Sequence, residues 1–228
     1  QRQMCIRDRS LAEATDAAGV LTVNGEVGST SVVTFTGPNG TVSITVTNDG
    51  NDQPVALDAA QLATLGDGAI TVATATSDAA GNITSSTVGS FTLDTVAPNT
   101  PADAGLDPAS GANGLTKDST PVISGTGTAG DTITLLAPDG TTVLGTAVVA
   151  TDGTWSITAT SALTDGDNAL TVQATDPAGN TSTPTTVNVT VDTAPPSAPA
   201  NAGLDAASGT GGLTKDSTPV ISGTGATA

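Results

Sequence analysis

Apolar and small polar residues alternate along most of this chain in short runs, the period-two pattern of strands with one buried face. In the first half the runs are VLTVNG (20–25), SVVTFTG (31–37), TVSITVTN (41–48), PVALDA (54–59), AITVATATS (69–77) and SSTVGSFTLD (85–94). Turn residues separate them: Gly37-Pro38-Asn39-Gly40, Asn48-Asp49-Gly50-Asn51-Asp52, Gly66-Asp67-Gly68 and Ala80-Gly81-Asn82. DAAQLATL (58–65) is the one helical stretch this pattern predicts. It is too short to stand alone, so it is expected to round a corner between two sheets. The second half repeats the alternation in PVISGTG (121–127), DTITLLAP (131–138), TTVLG (141–145), TAVVAT (146–151), TWSITAT (154–160), NALTVQAT (168–175) and TTVNVTVD (185–192). Seven short strands with frequent turns predict a Greek-key sandwich.

A long segment occurs twice. Residues 101–127 return as 199–225, offset by 98 residues and identical at 23 of 27 positions. LDTVAP (93–98) matches VDTAPP (191–196), and DAAGN (78–82) matches DPAGN (176–180), at the same offset. Solenoid repeats are about 20–50 residues long, so this period is that of a whole small domain. The layout read from it is a leader at 1–9, a first domain at 10–95, a linker at 96–115, a second domain at 116–192, a linker at 193–213 and the start of a third domain at 214–228. The leader QRQMCIRDR holds three of the five basic residues and looks like translated adapter sequence, so it is set aside as foreign. The fold class expected is all-β: tandem seven-stranded Ig-like Greek-key sandwiches, beads on a string.

Composition narrows the function. Thr is the commonest residue, and Thr, Val and Ile suit strands. Phe35, Phe91 and Trp155 are the only aromatics, so each core must be thin. The net charge of −17 argues against nucleic acid and anionic membrane as partners. No run is long and apolar enough to span a bilayer. Cys5 is the only cysteine, which excludes an intrachain disulfide and leaves metal ions as the expected staple.

Catalytic constellations are missing. With no His in the chain there is no Ser-His-Asp arrangement and no commonest general base. Glu13 and Glu26 make a poor glycosidase pair. GTGTAGD (125–131) lacks the Lys and the helix of a phosphate loop and reads as a turn between strands. Trp155 could stack on a sugar, but a lone strand Trp more often packs inward. The expectation is a protein that is not an enzyme.

STPVISGTG, DGTWSITATSALTDGDNALTVQATDPAGNTS and VDTAPPSAP together resemble the bacterial Ig-like repeats of large surface adhesins, the Bap-like and RTX-type proteins exported by type I secretion. VTFTGPNGTVSITVTN and ALDAAQLATLGDGAITVATATSDAAGN resemble a sister subtype. The resemblance implies an extracellular, cell-surface stalk acting in cell adhesion and biofilm, stiffened by Ca²⁺ at domain junctions. Its partners would be the adjacent Ig-like repeats and, through other parts of the adhesin, a host or neighbouring cell. The alternatives are a glycan- or protein-binding Ig-like module and an accessory domain of a secreted hydrolase.

In such a sandwich the loop between the last two strands faces the preceding domain. Asp176 in that loop is therefore expected to meet Asp94, Asp103, Asp107 and Asp118 from the incoming linker. Carboxylates beside carbonyl-rich Gly/Pro backbone suit Ca²⁺, which takes six to eight oxygens. The equivalent set at the next junction is Asp192, Asp205 and Asp216. The plainer reading of each Asp is a turn cap.

Overall fold

The structure, a computed structural model, describes residues 8–206, 208–209, 212–213, 215 and 217–225. The chain divides into two compact units between Val191 and Asp192. The larger unit contains two separate hydrophobic cores, one per sandwich.

In chain order the first sandwich comprises β1 (Asp8–Arg9), α1 (Leu11–Ala14), β2 (Leu21–Val23), β3 (Thr30–Thr36), β4 (Thr41–Thr47), β5 (Gln53–Val55), α2 (Ala59–Leu65), β6 (Gly68–Ser77) and β7 (Ile83–Leu93). One sheet has the order β1-β7-β6-β3-β4, and the other is the pair β2-β5. Every second residue of β3 points inward, which buries Val33 and Phe35 beside Ile70, Val72, Phe91 and Leu93. Each such side chain contributes about 1.5–3 kcal/mol when fully buried.

Helix α2 is the corner expected from DAAQLATL. Asp58 accepts from the Gln61 N–H, and the Gln61 side chain accepts in return from the Asp58 N–H. This capping box starts the helix, and Gly66 (φ 72°) ends it. The turn buries Leu62 and Leu65 and carries the chain from the small sheet to the large one. The last two residues of the stretch set aside as a leader take part in the fold, because β1 runs parallel to the end of β7. Gln1 to Arg7 lie outside the described residues.

The second sandwich comprises β8 (Ala102–Leu106), β9 (Leu115–Thr116), β10 (Val122–Thr126), β11 (Thr132–Leu136), β12 (Val143–Val148), β13 (Thr154–Thr158), β14 (Gly166–Thr175) and β15 (Thr185–Val191). Its sheets are β13-β10-β8 and β12-β11-β14-β15-β9, the Ig-like arrangement in which the first strand splits between both sheets. Trp155 is 4% exposed, in the core with Ile123, Ile133, Leu170 and Val172, and its Nε1 donates to the Thr126 carbonyl at 3.1 Å. It is not a sugar platform. Gly125 makes room for it, since a Cβ there would lie 2.6 Å from Trp155 Cζ2.

Two expectations change here. The stretch 96–115, read as linker, contains β8, which is hydrogen-bonded to β10. Pro101 and Pro108 flank that strand, and Gly105 lies within it. TTVLG and TAVVAT, read as two strands, form the single strand β12, and the interruption is a register shift opposite Leu135/Leu136 instead of a turn.

The smaller unit pairs β16 (Ala200–Leu204) with β17 (Ile221–Thr224). The register Ala200↔Thr224, Gly203↔Ser222 and Leu204↔Ile221 copies Ala102↔Thr126, Gly105↔Ser124 and Leu106↔Ile123 in the second sandwich. Asn201 (φ 53°) likewise copies the left-handed backbone of Asp103 (φ 51°). Leu213, Val220 and Ile221 are exposed. Asp216 lies outside the described residues.

Candidate functional site at the pole of the second sandwich

The loop between β14 and β15 is built by its first residue. Asp176 Oδ1 accepts from the backbone N–H groups of Gly179 (2.7 Å) and Asn180 (2.8 Å), and its Oδ2 accepts from Asn180 Nδ2 (2.9 Å). Gly179 turns at φ +100°, and a Cβ there would lie 3.8 Å from Ser10 Oγ of the first sandwich. Asn180 Nδ2 also donates to the Asp94 backbone carbonyl at 2.9 Å, just beyond β7. The loop therefore meets the exit of the first sandwich, and Asp94 and Asp176 come together through Asn180. The Asp94 carboxylate itself caps the following turn, accepting from the Val96 N–H at 3.0 Å.

Asp103 stands near the start of β8, where its Oδ2 accepts weakly from Thr126 Oγ1 (3.4 Å). Asp107 follows the end of β8 and accepts from the Ala109 N–H at 2.9 Å. Because β8 runs antiparallel to β10, its five residues carry Asp107 about 15 Å away from the pole that Asp176 occupies. Asp118 follows β9, which pairs with the far end of β15, and it accepts from Thr120 N (2.8 Å) and Oγ1 (3.1 Å). The structure thus does not bring Asp107 and Asp118 to Asp176. In the smaller unit Asp192 accepts from the Ala194 N–H at 3.0 Å, and the Asp205 carbonyl accepts from the Ser208 N–H at 2.8 Å. Among the described residues no three Asp, Glu, His or Cys side chains gather into a metal-sized group.

One residue at the pole escaped sequence reasoning. Asp131, just before β11, is 3% exposed, and its Oδ2 has no hydrogen-bond partner. Thr132 pairs with Thr175, so the next positions outward are Asp131 and Asp176, two carboxylates on neighbouring strand ends. Burial, and then the charge of Asp176, pushes the Asp131 carboxyl above its ordinary range. In the sequence it reads only as the first residue of DTITLLAP. The available signal was a charged residue opening a strand whose partner strand ends in another.

Residues 98–193 match the family model of the bacterial Ig-like domain. No curated protein matches the chain in sequence. Among solved structures, the chain is similar to the BSP domain of a biofilm-associated protein (24% identity, 83% of this chain and 29% of that one, TM-score 0.31). It is similar to a Ca²⁺-stabilized adhesin that helps an Antarctic bacterium reach out and bind ice (28% identity, 84% and 48%, TM-score 0.38). It is also similar to a tetra-tandem repeat in the extending region of a large adhesion protein (25% identity, 80% and 46%, TM-score 0.31). The chain spans less than half the length of each.

Proposed function

We propose, from the match of residues 98–193 to the model of the bacterial Ig-like domain, that the chain is spacer material from a bacterial cell-surface adhesin. Its sandwiches would set the reach of a binding region carried elsewhere in the adhesin, and its partners along the stalk are the neighbouring repeats. The first sandwich, the second, which begins with β8, and the start of a third are the beads. No helix among the described residues is long and apolar enough to cross a membrane.

The observation that carries this reading is the bond from Asn180 to the Asp94 carbonyl. A side chain in the second sandwich holds the backbone at the exit of the first, as a stalk of fixed direction requires. In this reading Ca²⁺ collects where Asp94 and Asp176 meet and limits bending there. Extracellular calcium modules bind at about 10⁻⁴–10⁻³ M. A hundredfold excess over Kd would add about 2.7 kcal/mol to a thin core.

Small-angle scattering of the whole chain in millimolar Ca²⁺ and in EDTA tests the proposal. The expected result is a narrower spread of radius of gyration in Ca²⁺. Identical profiles in both buffers would overturn calcium stiffening.

A further inference from the structure

The smaller unit reproduces one part of the second sandwich down to its hydrogen bonds. Asp107 N donates to Val122 O and Asp205 N to Val220 O, both at 2.9 Å. Val122 N donates to Ser110 Oγ at 2.9 Å, and Val220 N to Ser208 Oγ at 3.0 Å. Ser110 N and Ser208 N donate to the carbonyls of Asp107 and Asp205, both at 2.8 Å. Thr126 Oγ1 donates to Ala102 O at 3.4 Å, and Thr224 Oγ1 to Ala200 O at 3.3 Å. Strands β16 and β17 thus hold the shape of β8 and β10, although they lie in a separate unit.

The side chains agree wherever packing depends on them. Four positions differ between 101–127 and 199–225: Asp103 becomes Asn201, Pro108 Ala206, Ala112 Thr210 and Asn113 Gly211. All four are exposed in the second sandwich. Its buried positions in this segment, Pro101, Thr116, Pro121 and Ile123, have the same residues at Pro199, Thr214, Pro219 and Ile221. Ile123 is 0% exposed, whereas Ile221 is 64% exposed. Gly125, which makes room for Trp155, is matched by Gly223. Thr126, whose carbonyl accepts from the indole, is matched by Thr224. Selectivity between two binders is a difference of affinities, and the place beside β13 offers nothing that separates these two.

We propose that the second sandwich accepts residues 199–225 of a second copy of this chain in place of its own residues 101–127. The incoming segment pairs with β13 and packs against Trp155, and the displaced one is released. Reciprocal exchange closes a two-fold dimer, while one-way exchange joins copies in open series. The number of strand pairs is unchanged, so concentration sets the balance, and copies held side by side meet at millimolar local concentration. This goes beyond the spacer reading and does not rest on calcium: it gives the repeats themselves a partner, another copy of the same chain.

Two glycines separate this exchange from any other association. A Cβ on Gly125 would lie 2.6 Å from Trp155 Cζ2 and 2.9 Å from Ala102 O, so Gly125→Ala weakens the resident segment. A Cβ on Gly223 would lie 3.2 Å from Ala202 Cα and 3.3 Å from Ala200 O, which a small shift relieves. Placed beside β13 of a partner copy, the same Cβ would meet Trp155. The full chain is refolded from urea at millimolar concentration, diluted, and sized by chromatography with light scattering. Trp155 emission reports whether the second core is closed. The native chain is expected to give a discrete dimer with Trp155 buried. Gly125→Ala is expected to raise the dimer-to-monomer ratio about tenfold. Gly223→Ala is expected to lower it about tenfold and to leave Trp155-monitored unfolding of the monomer unchanged. A native chain that remains monomeric overturns the proposal. So does a dimer that Gly223→Ala leaves at its native level, because the exposed Ile221 face is then the contact. Should Gly125→Ala aggregate, Gly223→Ala decides alone.

Discussion

Asn180 and Asp94 lie 86 residues apart in sequence and meet through a 2.9 Å hydrogen bond from the Asn180 side chain to the Asp94 backbone carbonyl. The same Nδ2 donates to Asp176, so one amide both shapes its own loop and holds the end of the preceding sandwich. Replacing it acts on both. Asn180→Ala is expected to cost about 1–3 kcal/mol of second-sandwich stability. Denaturant unfolding followed by Trp155 fluorescence measures that cost. The same variant should broaden the scattering-derived distribution of chain dimensions even in Ca²⁺.

Asn48 is 2% exposed and supplies the donor for two buried hydroxyls. Asn48→Ala leaves Ser29 and Ser31 short of that donor, at an expected cost of about 1–3 kcal/mol. Calorimetry should show the first sandwich melting earlier, while the transition seen by Trp155 stays in place.

Gly125 faces both Trp155 Cζ2 and the Ala102 carbonyl, and a Cβ would come within 2.6 Å and 2.9 Å of them. The backbone oxygen cannot yield as a flexible side chain would. Gly125→Ala is therefore expected to destabilise the second sandwich by about 1–3 kcal/mol. Trp155→Ala should cost more, about 3–5 kcal/mol. Thermal or urea unfolding read by circular dichroism checks both.

Asp139 closes the turn between β11 and β12, accepting from Thr142 Oγ1 (2.6 Å) and from the N–H groups of Thr142 and Thr141 (2.8 Å each). The Thr142 hydroxyl is the main cause, and with the two N–H groups it holds the carboxyl down at about 2 against an ordinary 3.8. A depressed folded value means that the ionised form is the stabilised one. Its contribution is fully present above pH 3.8 and disappears as the pH falls toward 2. Melting curves of native protein and Asp139→Asn should differ at pH 5 and converge near pH 2.

The alternation of small polar and apolar residues was enough to place most strands, because one buried face imposes its period locally. The loop holding Asp176 was also legible, since a turn between the last two strands must face the preceding domain. Strand β8 was not, because Pro101, Gly105 and Pro108 read as linker and the left-handed backbone of Asp103 sits where its pairing with β10 shifts register. That strand's direction takes Asp107 to the opposite end, a consequence no spacing in the sequence records. Asp131 was missed for a related reason. Its burial depends on β14 ending beside it, with Thr132 opposite Thr175.

Each sandwich of the larger unit is also closed by a short strand from its beginning lying parallel to the end of its last strand: Arg9 beside Leu93, and Thr116 beside Val191. Pulling on the two ends of such a bead would load those bonds together in shear instead of unzipping them one at a time. Resistance to tension is a matter of unfolding rate more than of equilibrium stability. A sandwich with a thin core can therefore bear a sustained pull, provided that Asp94 N stays bonded to Arg9 O and Thr190 N to Gly114 O.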